Sequence, residues 1–347
     1  MERYLVTFLA ALALSAILTP LIRKLALALQ VVDEPGERKV HVEPVPLWGG
    51  LAIFLAFLST AKLFASDFEA LGAVVVAGTF ITGVGLVDDV RPLSAKVKFG
   101  GQIIAALILV AMGTKIEFLT NPFGGMIYLG WWSVPITVLW VVSITNMLNL
   151  IDGLDGLAAG VAVIAAGALF VVAADKGQVV MAMLSAILAG SALGFLPYNF
   201  HPAKIFMGDT GSLFLGFILA ALSVEGALKG AATIALTIPI LVLGVPVFDT
   251  LFAIIRRHRE GRPIYKADRG HIHHRLLDLG LSQKSAVLVV YLCSLALGIT
   301  GVILAQKEVM SSFLAVVSLG VVMYLLSEAL AGESREHTWK ERRFNGR

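Results

Sequence analysis

Eleven apolar stretches of about 16–24 residues recur along the chain, near 4–22, 47–66, 70–87, 99–114, 133–149, 156–174, 178–196, 211–228, 231–255, 285–305 and 311–330. Each is long enough to cross a hydrocarbon core roughly 30 Å thick as a single helix. A backbone in lipid must satisfy its own polar groups, and these runs lack the alternation of a barrel strand, so they read as helices. With 58% hydrophobic and 15% charged residues, and a mean hydropathy of +0.86, an ordinary soluble globule is excluded. The expectation is an all-α polytopic membrane protein with about eleven transmembrane helices. Residues 1–332 would form one transmembrane catalytic domain and residues 333–347 a basic cytoplasmic tail.

Sending alternate connections to opposite sides divides the basic residues unevenly. One side receives 21 of the 27 Lys and Arg; the other keeps Arg3, Lys62, Lys115, Lys176, Lys229 and Lys307. The positive-inside rule makes the first side cytoplasmic, with the N-terminus outside and the C-terminus inside. The first apolar run could pass for a signal peptide, but it is closed by Arg23-Lys24 without a convincing cleavage site, as an anchor would be. Cys293 is the single cysteine, so no intrachain disulfide is available. On the outside, Ile116–Leu119 and Met126–Trp131 flank Asn121-Pro122 and Gly124-Gly125, the pattern of a small periplasmic or extracellular β-hairpin. Every dense polar segment lies on the cytoplasmic side, at 33–50, 88–98, 149–156, 197–212 and 256–284. That places a candidate active site on the cytoplasmic face. A transporter would instead show broken helices and ionisable groups near the midplane.

The segment Asn149-Leu150-Ile151-Asp152-Gly153-Leu154-Asp155-Gly156-Leu157 joins two spans. If the first helix runs on, Asn149, Asp152 and Asp155 share a face. Such an oxygen-rich set suits Mg²⁺ better than zinc, although an acidic turn supplying helix caps reads the same way. Asp88 and Asp89 close the third span, where one could act as base and its neighbour as a metal or water partner, or the pair could simply bridge to Arg91. Lys96 and Lys98 follow, at a distance suited to holding a phosphate. Phe206-Met207-Gly208-Asp209-Thr210-Gly211-Ser212 opens the eighth span. Thr210 or Ser212 could cap that helix, a diphosphate could sit at its N-terminus with Asp209 holding the cation, and Phe206 could stack on a flat base. An N-cap role for Asp209 alone is the alternative.

His271-Ile272-His273-His274-Arg275 lies in a basic loop with no cysteine or acidic partner to complete a zinc site, and reads as a phosphate clamp or a solvated loop. Nucleic acid is not implied, since orientation and anionic lipid already account for one basic loop. Asp249 fits an anchor for that loop better than direct catalysis. Arg38-Lys39-Val40-His41, running on to Gly49-Gly50, forms a Pro-rigid basic loop that suits a donor pocket or lipid headgroups equally.

Taken in order, Arg38–His41 with Gly49-Gly50, Asp88-Asp89, Asn149–Leu157, Phe206–Ser212 and His271–Leu276 resemble the polyprenyl-phosphate N-acetylhexosamine-1-phosphate transferases, the WecA/TagO branch of the superfamily that includes MraY. The resemblance runs from about residue 33 to 280. It implies transfer of a sugar 1-phosphate from a UDP-N-acetylhexosamine to a membrane polyprenyl phosphate, with release of UMP. It also implies Mg²⁺, for which Mn²⁺ could substitute, with Asn149 and Asp209 as ligands. Asp88, Asp89, Asp152, Asp155, His273 and His274 then fall in catalytic positions, and Lys39, His41, Lys98, Phe206, His271 and Arg275 in substrate-binding ones. The string His-Ile-His-His-Arg points to UDP-GlcNAc, where the MraY branch, with its UDP-MurNAc-pentapeptide donor, typically has Pro-Leu-His-His-His. One departure is Leu47-Trp48 before the paired glycines, where the family pattern has an arginine at the first position. The sequence leaves the glycopolymer, lipopolysaccharide or teichoic acid among them, and the oligomeric state open, a homodimer included.

Overall fold

The computed structural model describes residues 1–35, 43–64, 71–121, 125–226, 236, 240–244, 276–277 and 279–305. Nine α-helices dominate them: α1 (Glu2–Ala28), α2 (Gly49–Phe64), α3 (Gly72–Val90), α4 (Ala95–Ala111), α5 (Ser133–Ile151), α6 (Leu157–Asp175), α7 (Val179–Asn199), α8 (Gly208–Gly226) and α9 (Gln283–Leu304). Seven of these, all but α2 and α4, are long and apolar enough to cross a membrane, α5 together with the 3₁₀ turn Gly130–Trp132 before it. α2 and α4 span 16 and 17 residues. Of the other expected spans, 311–330 lies wholly, and 231–255 mostly, outside the described residues.

Apolar patterning sorts the helices. α6, α7 and α8 are apolar all round, as expected of helices enclosed by protein. Their most apolar windows are 67%, 78% and 83% buried, against 28% for α1 and 33% for α3 and α9. α8 packs against α2, α3 and α5, while α1 lies along α7 and α9 along α6. Outer helices turn Leu5, Leu9, Ile17, Val76, Leu107, Leu139, Leu292 and Ile299 outward, the side on which lipid would lie. Small residues set the inner spacing, since a Cβ on Gly190 or Gly194 would come within 2.3 Å of a carbonyl oxygen of α1.

Two short ladders occupy connections. β1 (Val32–Asp33) pairs antiparallel with β2 (Val45–Pro46), so the basic loop expected across 33–50 is clamped at both ends. Between α4 and α5, β3 (Phe118–Thr120) pairs antiparallel with β4 (Met126–Tyr128). Gln102 and Asn146 join α4 to α5 by paired side-chain amides.

Candidate functional site

The ends of α3, α5 and α7 and the start of α8 converge on a cavity of about 920 Å³. Its lining includes Asp88, Asp89, Asn149, Asp152, Asp155, His201, Phe206 and Asp209. Three glycines make that convergence close. A Cβ on Gly50 would sit 2.0 Å from the Gly211 nitrogen, and one on Gly85 would sit 2.5 Å from the Thr210 Cα. A Cβ on Gly49 would meet the Phe195 ring at 2.3 Å and the Phe206 carbonyl at 2.7 Å. Backbone bonds then stitch the loops together: Gly49 N–H donates to Phe206 O, Gly50 N–H to Met207 O, and Phe206 N–H to Pro46 O, each at 2.9 Å. Trp48, just ahead of the glycines, holds a left-handed φ of 74°. That conformation is uncommon for a bulky residue and persists only where its surroundings fix it.

The paired aspartates do different work. Asp89 accepts the backbone N–H groups of Asp209 (2.8 Å) and Thr210 (3.3 Å) and the Thr210 hydroxyl (2.6 Å). It therefore caps α8 from another helix, satisfying donors that the first turn leaves open. The expected cap from Thr210 or Ser212 is replaced by this one: Thr210 donates to Asp89, and Ser212 Oγ donates to Gly208 O at 3.2 Å. Gly208, with φ +68°, leaves the room Asp89 needs; a Cβ there would lie 2.3 Å from its Oδ2.

Asp88 faces the cavity differently. Its Oδ1 accepts the Leu93 N–H at 2.7 Å and its Oδ2 lies 3.3 Å from Lys98 Nζ. Lys98 reaches onward to Asp209 Oδ2 at 2.8 Å, bridging the two carboxylates. Asn149 donates to Asp209 Oδ1 at 3.1 Å and to Ser212 Oγ at 2.9 Å. Carboxylate oxygens of Asp88, Asp89 and Asp209 lie within 4.8 Å of one another, a hard-oxygen set suited to a divalent cation. With the Asp89 oxygens engaged by α8 and those of Asp88 by Leu93 and Lys98, Asp209 and the Asn149 amide oxygen are the groups that best fit one.

α5 stops at Ile151, and Asp152 is its C-cap with ψ 42°, so the helix does not run on to put Asn149, Asp152 and Asp155 on one face. Removal from water, then the charges of Asp209, Asp89 and Asp155, push the Asp152 carboxyl well above the usual carboxylate range. Asp155 swings to the far side of the turn, where its Oδ2 meets His201 Nδ1 at 2.7 Å and accepts the Ala203 N–H at 3.1 Å. Gly156, at φ +80°, supplies the reversal. Its N–H donates to Asn199 Oδ1 at 3.1 Å and its carbonyl accepts the Tyr291 hydroxyl at 2.5 Å.

Sequence reasoning singled out neither His201, Asn199 nor Tyr291. His201 sits before a proline inside the polar segment 197–212, which is the only hint for it. Tyr291 carries no signal at all, because its hydroxyl reaches the turn through the notch left by Gly160, where a Cβ would fall 2.1 Å from that oxygen. Lys39, His41, Asp249, His271, His273, His274 and Arg275 lie outside the described residues.

The profile of glycosyl transferase family 4 matches residues 71–227, which carry Asp88, Asn149 and Asp209. A Bacillus subtilis protein, "Probable undecaprenyl-phosphate N-acetylglucosaminyl 1-phosphate transferase", is 44% identical over 330 residues, covering 94% of this chain and 92% of its own. The decaprenyl-phosphate N-acetylglucosaminephosphotransferase of Mycobacterium leprae is 44% identical over 306 residues, 79% of this chain and 77% of that one. A phospho-N-acetylmuramoyl-pentapeptide-transferase from Bacillus cytotoxicus is 33% identical over 316 residues, 86% of this chain and 95% of that one. With identity of this depth running nearly end to end, the chain belongs to glycosyl transferase family 4, among the polyprenyl-phosphate N-acetylhexosamine-1-phosphate transferases.

Proposed function

We propose that the protein transfers N-acetylglucosamine 1-phosphate from UDP-GlcNAc to a polyprenyl phosphate, giving polyprenyl-diphosphate-GlcNAc and UMP, at the cytoplasmic face of a bacterial inner membrane. The observation that carries this reading is the Asp88–Lys98–Asp209–Asn149 constellation at the convergence of four helix ends. It offers both charge signs for two phosphates meeting at a membrane surface. The 44% identity to a relative named for that transfer supports the choice of sugar.

In the reaction, an oxygen of the lipid phosphate attacks the β-phosphorus of the donor. The bond from that phosphorus to the bridging oxygen breaks, and UMP leaves carrying the bridging oxygen. Phosphoryl transfer of this kind asks for positioning and charge neutralisation more than covalent catalysis. Asp88 orients the lipid phosphate and takes its remaining proton, while Lys98 offers its ammonium to the incoming phosphates. Phe206 stacks on the uracil, and the 271–275 histidines and arginine hold the diphosphate. Asp209 and Asn149 would hold Mg²⁺, whose chemistry is to neutralise the donor diphosphate and stabilise the departing UMP. Asp89 acts at one remove, by holding the Asp209 backbone in place.

The test is purified protein in detergent with Mg²⁺, undecaprenyl phosphate and competing donors, UDP-GlcNAc, other UDP-HexNAc sugars and UDP-MurNAc-pentapeptide. UMP release with lipid-linked GlcNAc is the expected result. No UMP and no lipid-linked sugar with any donor would sink the reading, and a preference for the pentapeptide donor would move it to the other branch.

A further inference from the structure

α5 carries Asn149 at its cavity end, and its other end opens with the turn Gly130–Trp132. From Trp132 to Asn149 the helix rises roughly 25 Å, close to the thickness of a hydrocarbon core, so the tryptophans stand at the membrane boundary opposite the acids. The indoles of Trp131 and Trp132 stack, with centroids 4.2 Å apart and planes inclined by 28°, yet the two residues are 75% and 52% exposed. In the hairpin just before them Met126, Ile127 and Tyr128 are all exposed as well. Successive strand residues point to opposite faces, so this ribbon carries apolar side chains on both. A sheet with one face toward water would keep that face polar.

The segment is held in place from the protein side. Ile116 N–H donates to Thr137 Oγ1 at 2.8 Å, Ser133 Oγ donates to Ile116 O at 2.6 Å, and Leu129 N–H donates to Glu117 O at 3.0 Å. Phe118, Leu119 and Leu129 pack on the buried cluster of Ile116 and Val224, which leaves the other strand and the indoles presented outward. What covers them follows from α5. Trp132 and Leu139 are seven residues apart and share a helix face, and Leu139 is exposed on the flank where lipid lies. The tryptophans therefore continue that lipid-facing surface to its end. An indole N–H and a phenol O–H give those apolar rings a polar tip, which suits the headgroup level better than the acyl interior. Resting on the placement of the acid site at the cytoplasmic face, we propose that the β3–β4 hairpin and the Trp131–Trp132 pair form an anchor seated in the outer leaflet, at the boundary between headgroups and acyl chains.

The test is the depth of nitroxide labels on the full chain in phosphatidylcholine–phosphatidylglycerol vesicles, read from collisions with oxygen, which favours lipid, and with a nickel chelate, which stays in water. Cys293 is exposed and is first replaced by serine. Labels then go on Ile127→Cys and Tyr128→Cys, one on each face of the ribbon, and on Lys176→Cys as a control. Lys176 is exposed in the turn from α6 to α7 at the same end of the bundle. Both hairpin labels are expected about 5–10 Å below the lipid phosphates, with the control in water. A nickel chelate that reaches either hairpin label as freely as the control overturns the anchor. So does a label shielded from both reagents, which would place a protein partner or a second copy over the hairpin. A variant that melts early is replaced by Met126→Cys, read the same way. Labelling of Lys176→Cys in spheroplasts by a membrane-impermeant maleimide is expected from outside. Its failure there, with labelling after lysis, would overturn the outer-leaflet assignment together with the orientation it rests on, whereas a water-exposed hairpin on the outer side overturns the anchor alone.

Discussion

Replacing Gly85 with alanine isolates what the convergence of α3 and α8 is for. A Cβ at this position would lie 2.5 Å from Thr210 Cα and 2.6 Å from both Asp209 O and Thr210 N. All three are backbone atoms, so no rotamer change relieves the contact. Relief to an ordinary separation requires α3 and the start of α8 to part by about 1 Å, which carries Asp209 away from Asp88 and Lys98. Displacement of that size from a productive arrangement costs about 10²-fold in rate. Overpacking of a tight contact costs about 1–3 kcal/mol of stability, offset by about 1 kcal/mol of helix propensity gained over glycine. The net effect is therefore a folded protein with a crippled site. Gly83 on the same helix is the control, since an added Cβ there meets nothing within 4 Å. UMP release at saturating donor and lipid acceptor should fall about 10²-fold for Gly85→Ala and stay near wild type for Gly83→Ala. A Gly85→Ala enzyme with wild-type kcat would show that the spacing of the two helices does not set the chemistry.

Asp209→Asn should lower turnover on the order of 10³-fold with near-normal expression, and Mg²⁺ titration of UMP release should show no stimulation surviving at wild-type level. Asp88→Asn should lose much of its rate yet recover partly as pH rises, because a phosphate with a second pKa near 6 sheds its proton unaided in alkali; a flat pH–rate profile in the variant would remove Asp88 from proton handling. Asp152→Asn should raise the melting temperature of the Mg²⁺-free protein at neutral pH. The raised carboxyl of Asp152 contributes stability at low pH and loses it as the group ionises, so the advantage should close as pH falls toward about 4, and should shrink when Mg²⁺ is added. An unchanged or lower melting temperature at neutral pH would refute the destabilisation assigned to burying that carboxyl. Tyr291→Phe should cost about 1 kcal/mol in thermal stability, because Gly156 O retains its bond from Gly160 N–H, and Gly160→Ala should cost more by expelling the ring; equal melting curves for all three proteins would show that the Tyr291–Gly156 bond does not hold the turn.

The membrane class and the gathering of acids at helix ends were legible because both rest on local pattern. Twenty apolar residues in a row have few other fates, and Asp88-Asp89, Asn149 and Asp209 each sit where such a run begins or ends. What could not be read was partnership. Adjacent aspartates look equivalent in sequence, yet helical geometry points Asp89 at the open N–H groups of α8 and leaves Asp88 to Lys98. Asn149, Asp152 and Asp155 keep helical spacing, yet the helix stops at Ile151 and the turn that closes at Gly156 sends Asp155 to His201. The 111 residues separating Lys98 from Asp209 are invisible to any spacing rule, and so is a tyrosine that enters through a missing methyl group. The loop ahead of Gly49-Gly50 reads as irregular because a two-residue ladder has no periodicity to detect.

The division of labour among the acids bears on how the phosphoryl group moves. A covalent route needs a carboxylate oxygen with an unengaged lone pair aimed at phosphorus. Asp88 has one oxygen bonded to the Leu93 N–H and the other beside an ammonium, and both interactions draw down its electron density. Asp89 spends both oxygens on α8, and Asp155 commits an oxygen to two donors on the His201–Ala203 turn. Each of these carboxylates thus has at least one oxygen already committed to a donor, an arrangement better suited to holding a cation or orienting a partner than to in-line attack on phosphorus. The lipid phosphate arrives with oxygens that carry formal charge and no such restraint. In the proposed reaction, the Lys98 bridge between Asp88 and Asp209 receives it. The proposed direct attack rests on that asymmetry, with the protein supplying position and charge and the lipid supplying the nucleophile.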